Sequence, residues 1–179
     1  GIFVNQNLFW GRSGTLDRTI LLIGDGIAEG IGDGLANGGL AARLRAMMAK
    51  EKDANGLRLT WRVASAGAFR AISDDWIPGA DHPPNRVTGV RKSLFVDTFV
   101  DGMFKDAHVV VILLGGQDEL FSSQPTDVER TVSNLKLLAL ELEKLDKEVL
   151  ISQIPAFSDD EAVKLRVYQR NRMLREFIS

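Results

Sequence analysis

The chain has 179 residues, with 22 Lys and Arg against 24 Asp and Glu (net charge −2), 45% hydrophobic residues and a pI near 5.7. That length fits one ordinary domain with a sizeable core, and the charge gives no electrostatic case for nucleic acid as the main partner. No cysteine is present, so disulfides, a thiol nucleophile and thiolate metal sites are excluded, and no apolar run approaches the roughly 20 residues that span a bilayer.

The opening "GIFVNQNLFWGRSG" has neither an initiator Met nor a basic-then-apolar signal pattern, and residues 1–18 read as an N-terminal extension with a processed or trimmed end. The compartment is left open. Residues 19–23 (TILLI) form the first expected strand, running into a glycine-rich turn, Gly24–Gly30. Leu40, Leu44 and Met47 recur at helical spacing before Asn55-Gly56 ends that segment, and residues 57–63 (LRLTWRV) read as the second strand. Residues 73–91, with Pro78, Pro83 and Pro84, are irregular. Phe95, Phe99 and Met103 again have helical spacing, and residues 108–114 (HVVVILL) form a nearly continuous apolar strand of the kind buried on both faces.

Thr126-x-x-Glu129 predicts a capping box for a helix striped by Val128, Val132, Leu135, Ala139, Leu142 and Leu145. Residues 148–152 (EVLIS) read as the fourth strand. Ser158-x-x-Glu161 predicts a second capping box before a last helix carrying Val163, Val167, Leu174 and Phe177. The arginines of that helix, Arg166, Arg170, Arg172 and Arg175, read as a solvated face or, less favoured, a docking stripe for an acidic partner. Strands alternating with helices imply right-handed crossovers. The expected class is α/β: a three-layer α/β/α sandwich around a flavodoxin-like, doubly wound parallel sheet.

Sites in open parallel sheets form at the carboxyl ends of the strands. Three such ends carry polar or glycine-rich turns: Gly24-Asp25-Gly26, Ala64-Ser65-Ala66-Gly67 and Gly115-Gly116-Gln117-Asp118.

"IGDGIAEG" resembles the first block of the SGNH (GDSL-like) hydrolases, "WRVASAGA" their second and "VVVILLGGQDEL" their third. The resemblance covers roughly residues 19–178, and the domain it implies runs from 19 to 179. It places the nucleophile position on Gly26, the oxyanion-hole glycine on Gly67 and the side-chain donor of that hole on Gln117. Asp25 falls in the turn as a support for local backbone N–H groups. The family's Asp-x-x-His block finds no counterpart before Ser179, and its last strand and helix are expected to be lacking here.

An acyl transfer needs a nucleophile beside a base, and Gly26 offers neither hydroxyl nor thiol. Loss of one member of such a unit costs around 10⁴ to 10⁶ in rate. Gln117 keeps an amide donor but carries it one methylene further out than Asn. A substitution made to trap substrate would leave that donor alone, so the two changes together favour natural loss of the reaction. The two histidines are poor substitutes: His82 lies in the irregular stretch, and His108 begins the third strand at its amino end. Ser65 reads as an ordinary strand-end serine.

Asp25, Asp118 and Glu119 are close enough in the topology to be weighed as metal ligands, but the favoured reading has no metal and no cofactor. The sequence therefore predicts a catalytically inactive SGNH hydrolase-like domain, serving as a structural or interaction subunit with a protein partner or larger assembly. The alternative is an acyl-ester hydrolase in nucleophile-substituted or truncated form. A third reading keeps a small acyl or anionic ligand at the Gly26 and Gly67 backbone.

Overall fold

The apolar run that ends at Gly24 forms the longest strand of the computed structural model, which describes residues 15–30, 39–49, 58–79 and 84–178. This strand, β1 (Thr15–Gly24), starts four residues before the expected TILLI. It is joined by β2 (Arg58–Ser65), β3 (Val109–Leu113) and β4 (Glu148–Ile151) in one parallel sheet of order β2-β1-β3-β4. Ile20 is in register with Val63 on one side and Val109 on the other, and Val110 with Val149.

Helices cover both faces, giving the three expected layers. On one face α1 (Gly26–Glu29) and α2 (Gly39–Met48) pack over Ile20, Leu22 and Val63. On the other, α4 (Val128–Lys144) and α5 (Glu161–Ile178) bury Val132, Leu135, Leu142, Val167 and Leu174 against Leu21, Val110 and Ile112. A short α3 (Asp118–Phe121) follows β3. No helix of the described residues is long and apolar enough to cross a membrane.

Several local expectations shift. In α2 the inward face centres on Ala41, with Leu44 and Met48 partly buried, while Leu40 and Met47 are exposed. Phe95 and Phe99 do pack, with ring centroids 5.4 Å apart, but a π-helical turn (Val96–Val100) widens the backbone there and Met103 is exposed. The cap of α4 is Asp127, whose carboxylate accepts the Arg130 N–H at 2.9 Å, in place of Thr126. At the other end of α4, Leu145 is the exposed C-cap residue and not part of the core stripe. Asp160 likewise replaces Ser158 at the head of α5: its carboxylate accepts the Ala162 N–H at 2.7 Å and its carbonyl that of Lys164. In both cases a carboxylate one or two residues beyond the expected hydroxyl takes the exposed N–H, a charge-assisted bond that the helix dipole reinforces. Asn55-Gly56, His82 and Pro83 lie outside the described residues.

Candidate functional site

The three strand ends are stapled together by their backbones. Gly24 has a positive φ of 141° and lies so close to Leu113 that a side chain would overlap its carbonyl. The Asp25 N–H donates to that same carbonyl at 3.2 Å. On the opposite side the Gly24 carbonyl accepts the Ala68 N–H at 3.0 Å and the Trp76 indole N–H at 3.3 Å. The end of β1 is thus fixed to the end of β3 and to the loop after β2.

Asp25 caps α1, its carboxylate accepting the Ile27 N–H at 2.9 Å. Gly26 is buried as the first residue of α1 and puts no side chain into the turn. Gly67 presses on this helix: a Cβ there would overlap the backbone of Asp25, Ala28 and Glu29. Only glycine lets the two segments meet. Gln117 stands at the head of α3, half-buried, its carbonyl accepting the Leu120 and Phe121 N–H groups and its side chain making no capping bond. Gly26, Gly67 and Gln117 therefore sit at the carboxyl edge of three adjacent strands.

Beneath them lie two buried acids. Asp118 accepts the Ser73 N–H at 2.9 Å, the Ser73 hydroxyl at 2.5 Å and the Thr131 hydroxyl at 2.9 Å. Burial still raises its carboxyl above the ordinary range, against the pull of those donors. Burial pushes the Asp25 carboxyl up to about 6, and the nearby Asp118 charge acts in the same direction. Asn134 extends the network, donating to the Ser73 hydroxyl at 2.9 Å and to Asp74 at 2.8 Å. Ser73, Thr131 and Asn134 carry no motif and were invisible in the sequence.

Other candidates are engaged elsewhere. The Ser65 hydroxyl donates to the Ala28 carbonyl. His108 lies at the opposite end of the sheet, its Nδ1 accepting the Thr19 N–H at 3.1 Å. No group of three metal-binding side chains occurs among the described residues. Glu119 is engaged by two arginines, pairing with Arg166 at 2.7 Å and with Arg170. This corrects the solvated-face reading of the arginines: Arg170 is fully buried and Arg166 half-buried, while Arg172 and Arg175 alone face solvent. A small apolar recess between α3 and α5 is lined by Leu120, Phe157, Val163 and Val167, and its walls include none of Gly26, Gly67 and Gln117.

No protein-family model and no curated protein matches the sequence. Solved structures do match the fold. A lipase from a goat rumen metagenome superposes with a TM-score of 0.60 at 17% identity, over 90% of this chain and 76% of that one. An acetyl xylan esterase gives 0.56 at 17% identity, over 88% and 71%. A GDSL-like lipase from Bacteroides thetaiotaomicron gives 0.50 at 16% identity, over 89% and 63%. With its strand order, its glycine-built strand ends and these neighbours, the chain carries the SGNH hydrolase-like α/β fold.

Proposed function

We propose that this chain is a catalytically silent SGNH hydrolase-like domain that acts as a structural or interaction subunit. The observation that carries the reading is Gly26: the turn that would present a nucleophile is retained in its backbone and empty in its chemistry. A hydroxyl or thiol beside a base is the minimum for covalent acyl transfer. Of the alternative groups, Ser65 is spent on a backbone carbonyl and His108 lies at the far edge of the sheet. The glycines of this turn then have a folding role, because Gly24 and Gly67 lock β1, β3 and α1 together.

An interaction role is supported by β4, which is paired on one side only among the described residues and whose Leu150 is 52% exposed. The partner would be a segment covering that edge. At high concentration the isolated domain is then expected to associate or aggregate, and sedimentation as a clean monomer would count against the subunit role.

The test of silence is a short-chain nitrophenyl ester assay. No turnover above a heat-killed control is expected. Turnover that Ser65→Ala abolishes would overturn the proposal, and strong recovery in Gly26→Ser would favour a nucleophile-substituted acyl-ester hydrolase instead.

A further inference from the structure

The two edges of the sheet are finished differently. At the β2 edge the Arg45 side chain reaches over from α2, its Nε donating to the Val63 carbonyl at 2.9 Å. A long basic side chain on an outward backbone group keeps an edge strand from pairing further. Among the described residues no side chain closes the β4 edge in this manner, and Leu150 is exposed there.

The hydrogen-bond phase of β4 fixes which of its groups face outward. The Glu148 N–H donates inward to the His108 carbonyl at 2.9 Å, and the Ser152 N–H to the Ile112 carbonyl at 3.0 Å. Backbone polar groups of an extended strand alternate in direction, so the N–H and C=O groups of Val149 and Ile151 point away from β3. The free stretch is short. Before it the Lys147 N–H turns back to the Leu142 carbonyl at 3.1 Å. After it the Asn171 side chain takes both the N–H and the carbonyl of Ile154, at 2.8 and 2.9 Å.

We infer that β4 pairs antiparallel with β4 of a second copy of this chain, about a twofold axis at Leu150. This rests on the interaction role proposed above and names the partner. Val149 and Ile151 flank Leu150 symmetrically, so in this register Val149 of each copy faces Ile151 of the other. The outward groups of the two copies then exchange four hydrogen bonds. A strand whose outward groups are symmetric in this way is its own complement, and the twofold closes the assembly at two chains. Leu150 stands opposite its own counterpart in a non-hydrogen-bonded pair, where side chains approach most closely. Glu148 stands opposite the Ser152 hydroxyl, so no like charges meet. An axis at Val149 would instead set Ile151 opposite Lys147, whose N–H is already spent.

The experiment follows the full 179-residue chain by sedimentation equilibrium over a range of concentrations, and cross-links two single-cysteine variants. A monomer–dimer equilibrium that stops at two chains is expected. Leu150→Lys sets like charges opposite each other at an exposed position and should raise the dissociation constant about tenfold or more, with the thermal midpoint of the dilute monomer unchanged. Because the chain has no cysteine, Leu150→Cys carries a single thiol. The twofold sets its Cα about 4.5 Å from its counterpart, within disulfide reach, so mild oxidation should give a covalent dimer. Glu148→Cys is also exposed but faces Ser152, and should stay unlinked. Association that Leu150→Lys leaves unchanged, growth past two chains, or equal cross-linking of the two cysteine variants would overturn the twofold pairing and leave the interaction role standing. A monomer at every concentration would overturn the pairing and count against that role as well. Ester turnover bears on catalytic silence alone.

Discussion

Arg170, fully buried on α5, donates to the carboxylate of Glu119 on α3, and its Nη2 donates to the Pro125 carbonyl at 2.9 Å. Burial opposes ionisation of Glu119, but the guanidiniums of Arg166 and Arg170 outweigh it and hold the carboxyl below its ordinary 4.5. A lowered carboxyl contributes stability that is fully present above 4.5 and is lost as pH falls through the folded value. Glu119→Gln leaves the Arg170 charge buried without its counter-ion and is expected to cost about 3–5 kcal/mol in urea unfolding at pH 7. A loss below about 1 kcal/mol would show that the pair is not what docks α5.

Asp25 behaves in the opposite sense. Its carboxyl rises from 3.8 to about 6 on folding, so the folded chain holds the proton more tightly. The stability tied to that proton is present below pH 3.8 and lost as pH rises through about 6. Asp25→Asn keeps an N-cap acceptor for Ile27 and removes the charge. It should stabilise the chain at pH 8 by up to about 3 kcal/mol and have little effect at pH 4. Denaturant midpoints at the two pH values decide it, and a difference that does not grow with pH would contradict the assignment.

Gly67→Ala places a methyl group on the backbone of Asp25 and Glu29, atoms that cannot rotate aside. A loss on the order of 1–3 kcal/mol or more is expected from overpacking, read as a lower thermal midpoint. An unchanged midpoint would mean that Gly67 is not required for packing and would leave an oxyanion role as its reason.

Thr131→Val deletes one of the donors to buried Asp118 at nearly constant shape. The remaining Ser73 contacts keep the carboxylate partly satisfied, so the expected cost is about 1–2 kcal/mol. The same substitution should raise the Asp118 carboxyl further, visible as a shifted side-chain carboxyl titration. A titration identical to that of the unmodified chain would separate Thr131 from Asp118.

The amino-acid sequence alone was enough for the sheet and for the glycine-rich turns at its strand ends. Runs such as ILLI and VVVIL are buried on both faces of a parallel strand, so local composition announces them. The glycine-rich turns mark strand ends because backbone conformation there is a local property: Gly24 and Gly30 need positive φ whatever surrounds them. Phase within helices was less legible. Leu40, Met47 and Met103 have the right spacing and the wrong exposure, since which side of a helix meets the core is settled by the neighbour it packs on.

What only the tertiary structure decided depends on residues far apart in the chain. Arg170 is sequestered by Glu119, 51 positions away, and Asp118 is solvated by Ser73, 45 positions away. Arg70 meets the Phe121 ring because the loop after β2 crosses the end of β1, where the Ala68 N–H is bound to the Gly24 carbonyl, an arrangement that no single segment encodes. Charged side chains leave water when the fold supplies their partners, and those partners come from the packing of separate elements.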